Sequence, residues 1–136
     1  MPSKNKRVII DTNLWISFLL TKNLSALDIL FQKSEITLLF SKELLDEFVD
    51  VTNRPKFKKY FSSEDLQVLI SSIKHHAEFI LVTSDVKECR DPKDNFLLSL
   101  AKDGRATHLV SGDNDLLDLK KYGKTVILSY TEFINS

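Results

Sequence analysis

One cysteine, Cys89, is all the chain contains, so no internal disulfide can form and a cytoplasmic location is expected. A lone thiol without basic residues arranged around it reads as structural rather than nucleophilic. Histidine is also scarce. His75 and His76 are adjacent on a predicted helix and so should point in different directions, and His108 falls inside a predicted strand, which leaves no zinc set. Net charge is absent too: 19 Lys and Arg balance 19 Asp and Glu, which excludes the global basic footprint of a high-affinity nucleic-acid binder. Charge is nevertheless uneven, with Arg54, Lys56, Lys58 and Lys59 in one segment and Lys120, Lys121 and Lys124 in another. These read as two solvated faces, and any RNA or DNA contact there should be local and of moderate affinity. No apolar run is long enough to span a membrane. The opening Met-Pro-Ser-Lys-Asn-Lys-Arg leads into a short strand-like run and is expected to be neither signal peptide nor anchor.

What is present fits one folded unit. The 136 residues are the usual size of a single domain, and 43% hydrophobic with 28% charged residues is ordinary for a globular protein. Val8-Ile9-Ile10, ended by Asp11-Thr12-Asn13, reads as a buried strand followed by a capped helix through Leu14, Trp15, Phe18 and Leu19. A second helix is expected from Ser25 through Leu27, Leu30 and Phe31. Further strands are expected at Ile36–Phe40, Phe79–Val82, Thr107–Val110 and Thr125–Leu128. Between them, Ser41 should cap a helix with apolar face Leu44, Leu45, Phe48 and Val51, and Asn53-Arg54-Pro55 should break it. A turn at Lys56–Tyr60 then leads to a helix capped by Ser62 with Asp65 at the third position. Thr83–Arg90 reads as loop. Asp91-Pro92 opens a helix through Phe96, Leu97, Leu100 and Ala101 that ends at Asp103-Gly104. A short helix at Asp115–Leu119 and a last turn at Thr131–Ile134 complete the reading. Strands alternate with helices, so the expected fold is a three-layer α/β/α sandwich on a mostly parallel sheet of about five strands, one domain over residues 1–136. No repeat, low-complexity tract or linker interrupts it.

Four acidic residues sit where a strand hands over to a helix or early in a helix: Asp11, Glu47, Asp94 and Asp113. The carboxyl ends of parallel strands line a common crevice, so carboxylates distant in sequence can meet there and seat a hard divalent cation. Each also has a local explanation. Asp11 can cap the first helix, Glu47 shares a polar face with Glu43 and Asp50, Asp94 can pair with Asp91 in a cap, and Asp113 and Asp115 flank Asn114 in a turn. Their joint placement favours the cation, because like charges crowded at one rim destabilise a fold that binds none.

Five segments in order, Val8-Ile9-Ile10-Asp11-Thr12-Asn13, Ser41 to Glu47, Asn53-Arg54-Pro55-Lys56-Phe57, Arg90 to Phe96 and Leu109 to Leu116, resemble the PIN-domain family, in the group regarded as toxins of bacterial toxin–antitoxin pairs. The resemblance covers nearly the whole chain. It implies a ribonuclease dependent on Mg²⁺ or Mn²⁺, with the cation held by Asp11, Glu47, Asp94 and Asp113 and additionally Asp115. It further implies that Asn13 and Ser111 brace the site and that Asp91 serves as a cap, since Asp94 holds the family's offset from Phe96 and Ala101. Implied partners are RNA and an antitoxin protein, with homodimers common among relatives. Arg54, Lys56 and Lys93 are candidates for substrate phosphates, and Phe57, Tyr60 and Phe61 for a dimer contact. The alternative is an inactive PIN-like RNA-binding or scaffold module, against which the full acidic set speaks. A phosphoacceptor receiver is disfavoured because Thr83, not Asp, follows Ile80-Leu81-Val82. A phosphatase with a second Asp two residues after the nucleophile is disfavoured because Asn13 stands there.

Overall fold

β-branched and apolar runs supply the strands, and side-chain caps start most of the helices between them. The computed structural model describes residues 6–21, 36–89 and 91–135. The elements are β1 (Lys6–Ile10), α1 (Thr12–Thr21), β2 (Ile36–Phe40), α2 (Lys42–Thr52), α3 (Pro55–Lys58), α4 (Ser63–His76), β3 (Glu78–Phe79), a 3₁₀ turn (Pro92–Asp94), α5 (Asn95–Gly104), β4 (His108–Val110), α6 (Asn114–Leu117), β5 (Lys121–Tyr122), β6 (Thr125–Leu128) and α7 (Tyr130–Ile134). The helix expected from Ser25 lies outside the described residues. Six strands form one sheet in the order β3-β2-β1-β4-β6-β5, flanked by helices as a sandwich. All neighbours are parallel except β5 and β6.

The local signals acted as their chemistry requires. Ser41 accepts from Leu44 N at 3.1 Å and Ser62 from Asp65 N at 3.0 Å, each satisfying a donor that the first helical turn leaves open. Val8, Ile9 and Ile10 are buried, as expected of a parallel strand covered on both faces. α1 drives Trp15 into the centre, where its ring meets Phe18, Phe40 and Phe48 with centroids 6.2, 5.8 and 6.5 Å away.

Two strands differ from expectation. The run Phe79–Val82 pairs only at Glu78 and Phe79, on the sheet edge, although Ile80 N still donates to Phe40 O at 2.8 Å. Beyond it, Thr83 N and Ser84 N donate to Asp103 Oδ2 at 2.6 and 2.8 Å, so a carboxylate of α5 captures the donors and draws the chain off the edge. The sixth strand, β5, arises from the second basic cluster. A two-residue loop, Gly123-Lys124, reverses the chain between Tyr122 and Thr125, with Gly123 at φ +59° where a side chain would be strained. Of the residues considered for a dimer contact, Phe61 is instead buried and stacks on half-buried Phe57, because the turn after α3 folds them inward. Tyr60 is exposed.

From β1 the chain proceeds to β2 and β3 on one side, then crosses to β4 and β6 on the other. The order therefore reverses between β1 and β4, where the loops leaving the two strands part and open a crevice. Asp11 N donates to Val110 O at 3.1 Å, so the ladder continues to the rim of that crevice.

Candidate metal centre

Asp11 is the innermost carboxylate at the rim and is buried. One oxygen accepts from Leu14 N at 2.9 Å, which caps α1, and the other accepts from the Ser111 hydroxyl. Burial pushes its pKa up, the two hydrogen bonds counter that, and the charges of Asp113 and Glu47 add to the rise. Ser111 also accepts from Asp113 N at 2.9 Å, so one hydroxyl fixes the Asp11 side chain and the turn that carries Asp113.

Glu47 departs from the polar stripe it shares in sequence. Glu43 and Asp50 are exposed, whereas Glu47 is half-buried on the side of α2 facing α1 and accepts from Thr12 Oγ1 at 2.5 Å. Nothing in the sequence singled out Thr12 as a partner of Glu47. Its spacing carries no other signal, because the contact depends on how α1 packs on α2. Asn13, expected to brace the site, is exposed, and its side chain makes no hydrogen bond among the described residues.

Asp94 stands at the start of α5, yet its side chain caps nothing. One of its oxygens, Oδ2, is buried without a hydrogen-bond partner. Its pKa is pushed up to about 8 by burial, then by contact with the Asp113 carboxyl, then by the charges of Asp113, Asp91 and Asp11. Between two carboxyls the one available donor is a shared proton. A carboxylate oxygen left this way is costly unless something positive meets it.

Ligand atoms of Asp91, Asp94, Asp113 and Asp115 all lie within 4.8 Å of one another, a spread that suits one cation. Asp91 does serve as the expected cap, accepting from Lys93 N at 3.1 Å, but it also joins this cluster, since the 3₁₀ turn places it beside Asp94. Asp113 caps α6 by accepting from Asp115 N at 2.9 Å. Asp11 and Glu47 stand outside the tight group of four and are tied to it through Ser111 and the charge interactions of Asp11. An all-oxygen donor set of this charge fits a hard divalent cation rather than a soft metal.

The remaining candidates lie elsewhere. Cys89 is buried, and its thiol pKa is raised by that burial, which keeps it protonated and poorly nucleophilic. His75 and His76 do not point apart as expected. Their rings meet edge to face at 4.8 Å, both exposed at the end of α4 where the last helical turn lets neighbouring side chains lean together. Arg54 is engaged with Asp50 at 3.2 Å, and Lys56 lies over the Phe57 ring at 5.1 Å.

A family model described as PIN domain matches residues 7–115. An uncharacterized protein of Methanocaldococcus jannaschii is 29% identical over 122 residues, covering 87% of this chain and 77% of the relative. The matched span begins in β1 and ends at Asp115, and so includes every carboxylate described above.

Proposed function

Because the chain belongs to the PIN-domain family, a family of nucleases, we propose that it is a ribonuclease dependent on Mg²⁺ or Mn²⁺ and the toxin of a toxin–antitoxin pair. The observation that carries the metal dependence is the partnerless Asp94 oxygen among crowded carboxylates. Asp11, Glu47, Asp94, Asp113 and Asp115 are the proposed ligands. A cation bound there would activate water and neutralise charge on the scissile phosphate. The chain's own groups set this up: Ser111 orients Asp11 and holds the Asp113 turn, Thr12 orients Glu47, and Asp94 with Asp113 holds a proton near neutral pH that a cation would displace. The toxin assignment rests on the resemblance of the five segments, and a protein antitoxin would act by covering the crevice.

The test is direct. The protein and its Asp113→Asn variant are incubated with mixed RNA in Mg²⁺, in Mn²⁺ and in EDTA. Cleavage is expected only for the parent protein with metal, and cleavage surviving EDTA or the substitution would sink the reading. Thr12→Val keeps the volume of the side chain but removes the donor to Glu47. Mn²⁺ binding followed by calorimetry should weaken roughly 10–100-fold, the usual effect of losing a group that orients a ligand. Unchanged affinity would remove Glu47 from the ligand set.

A further inference from the structure

At the end of the sheet opposite the acidic centre, where β4 and β6 begin, lies a cleft of about 720 Å³. Lys102, Arg105, Tyr122 and Lys124 line it together with Thr107, and none of its lining residues is acidic. The three cations are exposed, and among the described residues none forms an ion pair. Helix electrostatics favour Lys102, in the last turn of α5, and Arg105, its C-cap, but do not account for Lys124. Arg7 Nε already donates to the Gly104 carbonyl at 2.9 Å at the end of α5, and Lys124 comes from the β5–β6 hairpin loop, not from the helix. Asp103, the neighbour of Lys102, is occupied by Thr83 and Ser84.

A second concavity, of about 420 Å³, shares Lys102 and Tyr122 with the first and is lined further by Ser84, Asp85, Val86, Lys87 and Glu88, with Lys87 paired to Asp85 at 3.5 Å. The segment forming that wall runs on into Cys89, whose N–H donates to Asn95 beside Asp94 at 2.9 Å. Asp85 and Glu88 would repel a phosphate in this second concavity, so the basic cleft ends on that side at Lys102 and Tyr122. Unpaired cations around a half-buried aromatic ring match a polynucleotide strand, whose phosphates take the cations and whose bases stack. Three separate cations, two on the end of α5 and one on the hairpin loop, suit the repeated charge of a strand better than a single small phosphate. At about 3.3 Å per strand residue, Thr107 and Asp113 are separated by roughly 15–20 Å.

Resting on the reading of the chain as an RNA-cutting enzyme, we propose that the cleft of Lys102, Arg105, Tyr122 and Lys124 is a second phosphate-binding site that holds single-stranded RNA away from the cut. Binding of a labelled, unstructured RNA of about 20 nucleotides is measured by fluorescence anisotropy in EDTA as a function of salt. Replacing Lys102, Arg105 and Lys124 together by Ala should weaken binding at least roughly tenfold and lower the salt slope by about 2, at roughly 0.7 per phosphate contact. Tyr122→Leu should weaken it at least about fivefold. Lys124→Gln alone, at an exposed loop position, should lower the slope by about 0.7 and serves if the triple variant melts early. Unchanged affinity and slope would overturn the proposal, as would full competition by a mononucleotide, which would make the cleft a small-phosphate site. Binding that depends on the cleft without any metal-dependent cleavage would sink the nuclease reading alone. Cleavage with binding indifferent to these substitutions would sink the second site alone.

Discussion

Asp94→Asn is expected to raise the melting temperature of the metal-free protein at pH 8 while removing its metal-dependent cleavage. The two effects share one cause. Asp94 keeps its proton up to about pH 8 in the folded chain, through burial and the neighbouring Asp113, whereas the unfolded chain releases it near the ordinary carboxylate value of about 4. Between those limits the folded state binds the extra proton, so this residue's contribution to stability is fully present below about pH 4 and is lost as pH rises towards 8. Asp11, whose pKa is also raised, acts in the same direction. Asn keeps the shape, carries no charge and offers an N–H₂ donor to Asp113. Relief of an unsatisfied buried polar group is about 1–3 kcal/mol, or roughly 3–10 °C for a domain of this size. The gain should be large at pH 8 and small at pH 5. A cation competes with the same proton, so Mn²⁺ should stabilise the parent protein more at pH 8 than at pH 5, and the variant much less at either pH. Cleavage should fall by about 100- to 1000-fold, since a charge positioned at the phosphate contributes several kcal/mol. Equal Mn²⁺-induced shifts in parent and variant, across pH, would show that Asp94 takes no part in a metal site.

Trp15→Ala should cost about 3–5 kcal/mol of stability, the range for removing a large buried aromatic side chain. Trp15 has no exposed surface and packs with Phe18, Phe40 and Phe48, joining α1 to β2 and α2. The void would be bounded by rings fixed on three different elements, which limits collapse. Urea denaturation should show a lower midpoint with an unchanged slope. Trp15→Phe, which refills part of the space, should lose less than half as much. A loss below about 1 kcal/mol would mean that the aromatic group repacks freely, contrary to the density expected of such a core. Because α1 begins at Thr12, loosening it should also free Glu47 and weaken Mn²⁺ binding in parallel.

Caps and buried strands were legible in the sequence because their causes are local. Ser41 and Ser62 lie three residues from the donors they satisfy, and Val8-Ile9-Ile10 announces a strand covered on both faces. The edge of the sheet was not legible. Phe79–Val82 has the composition of a strand, and what shortens it is Asp103, some twenty residues away, taking the donors of Thr83 and Ser84. β5 was hidden for a related reason, since Lys121-Tyr122 becomes a strand only because Gly123 turns the chain back onto β6.

The carboxylates divide in the same way. By itself the sequence determined which acidic residues stand at strand ends and helix starts, and hence that they would collect at one rim of a parallel sheet. It could not distinguish Glu47 from Glu43 or Asp50 on the same helical stripe, nor reveal that Asp91 both caps its turn and faces Asp94. Tertiary structure decided those points. The packing of α1 on α2 half-buries Glu47 against Thr12, and the 3₁₀ turn sets Asp91 and Asp94 beside Asp113. Burial and like charge are properties of neighbours brought together from distant parts of the chain, and no spacing along the sequence encodes them.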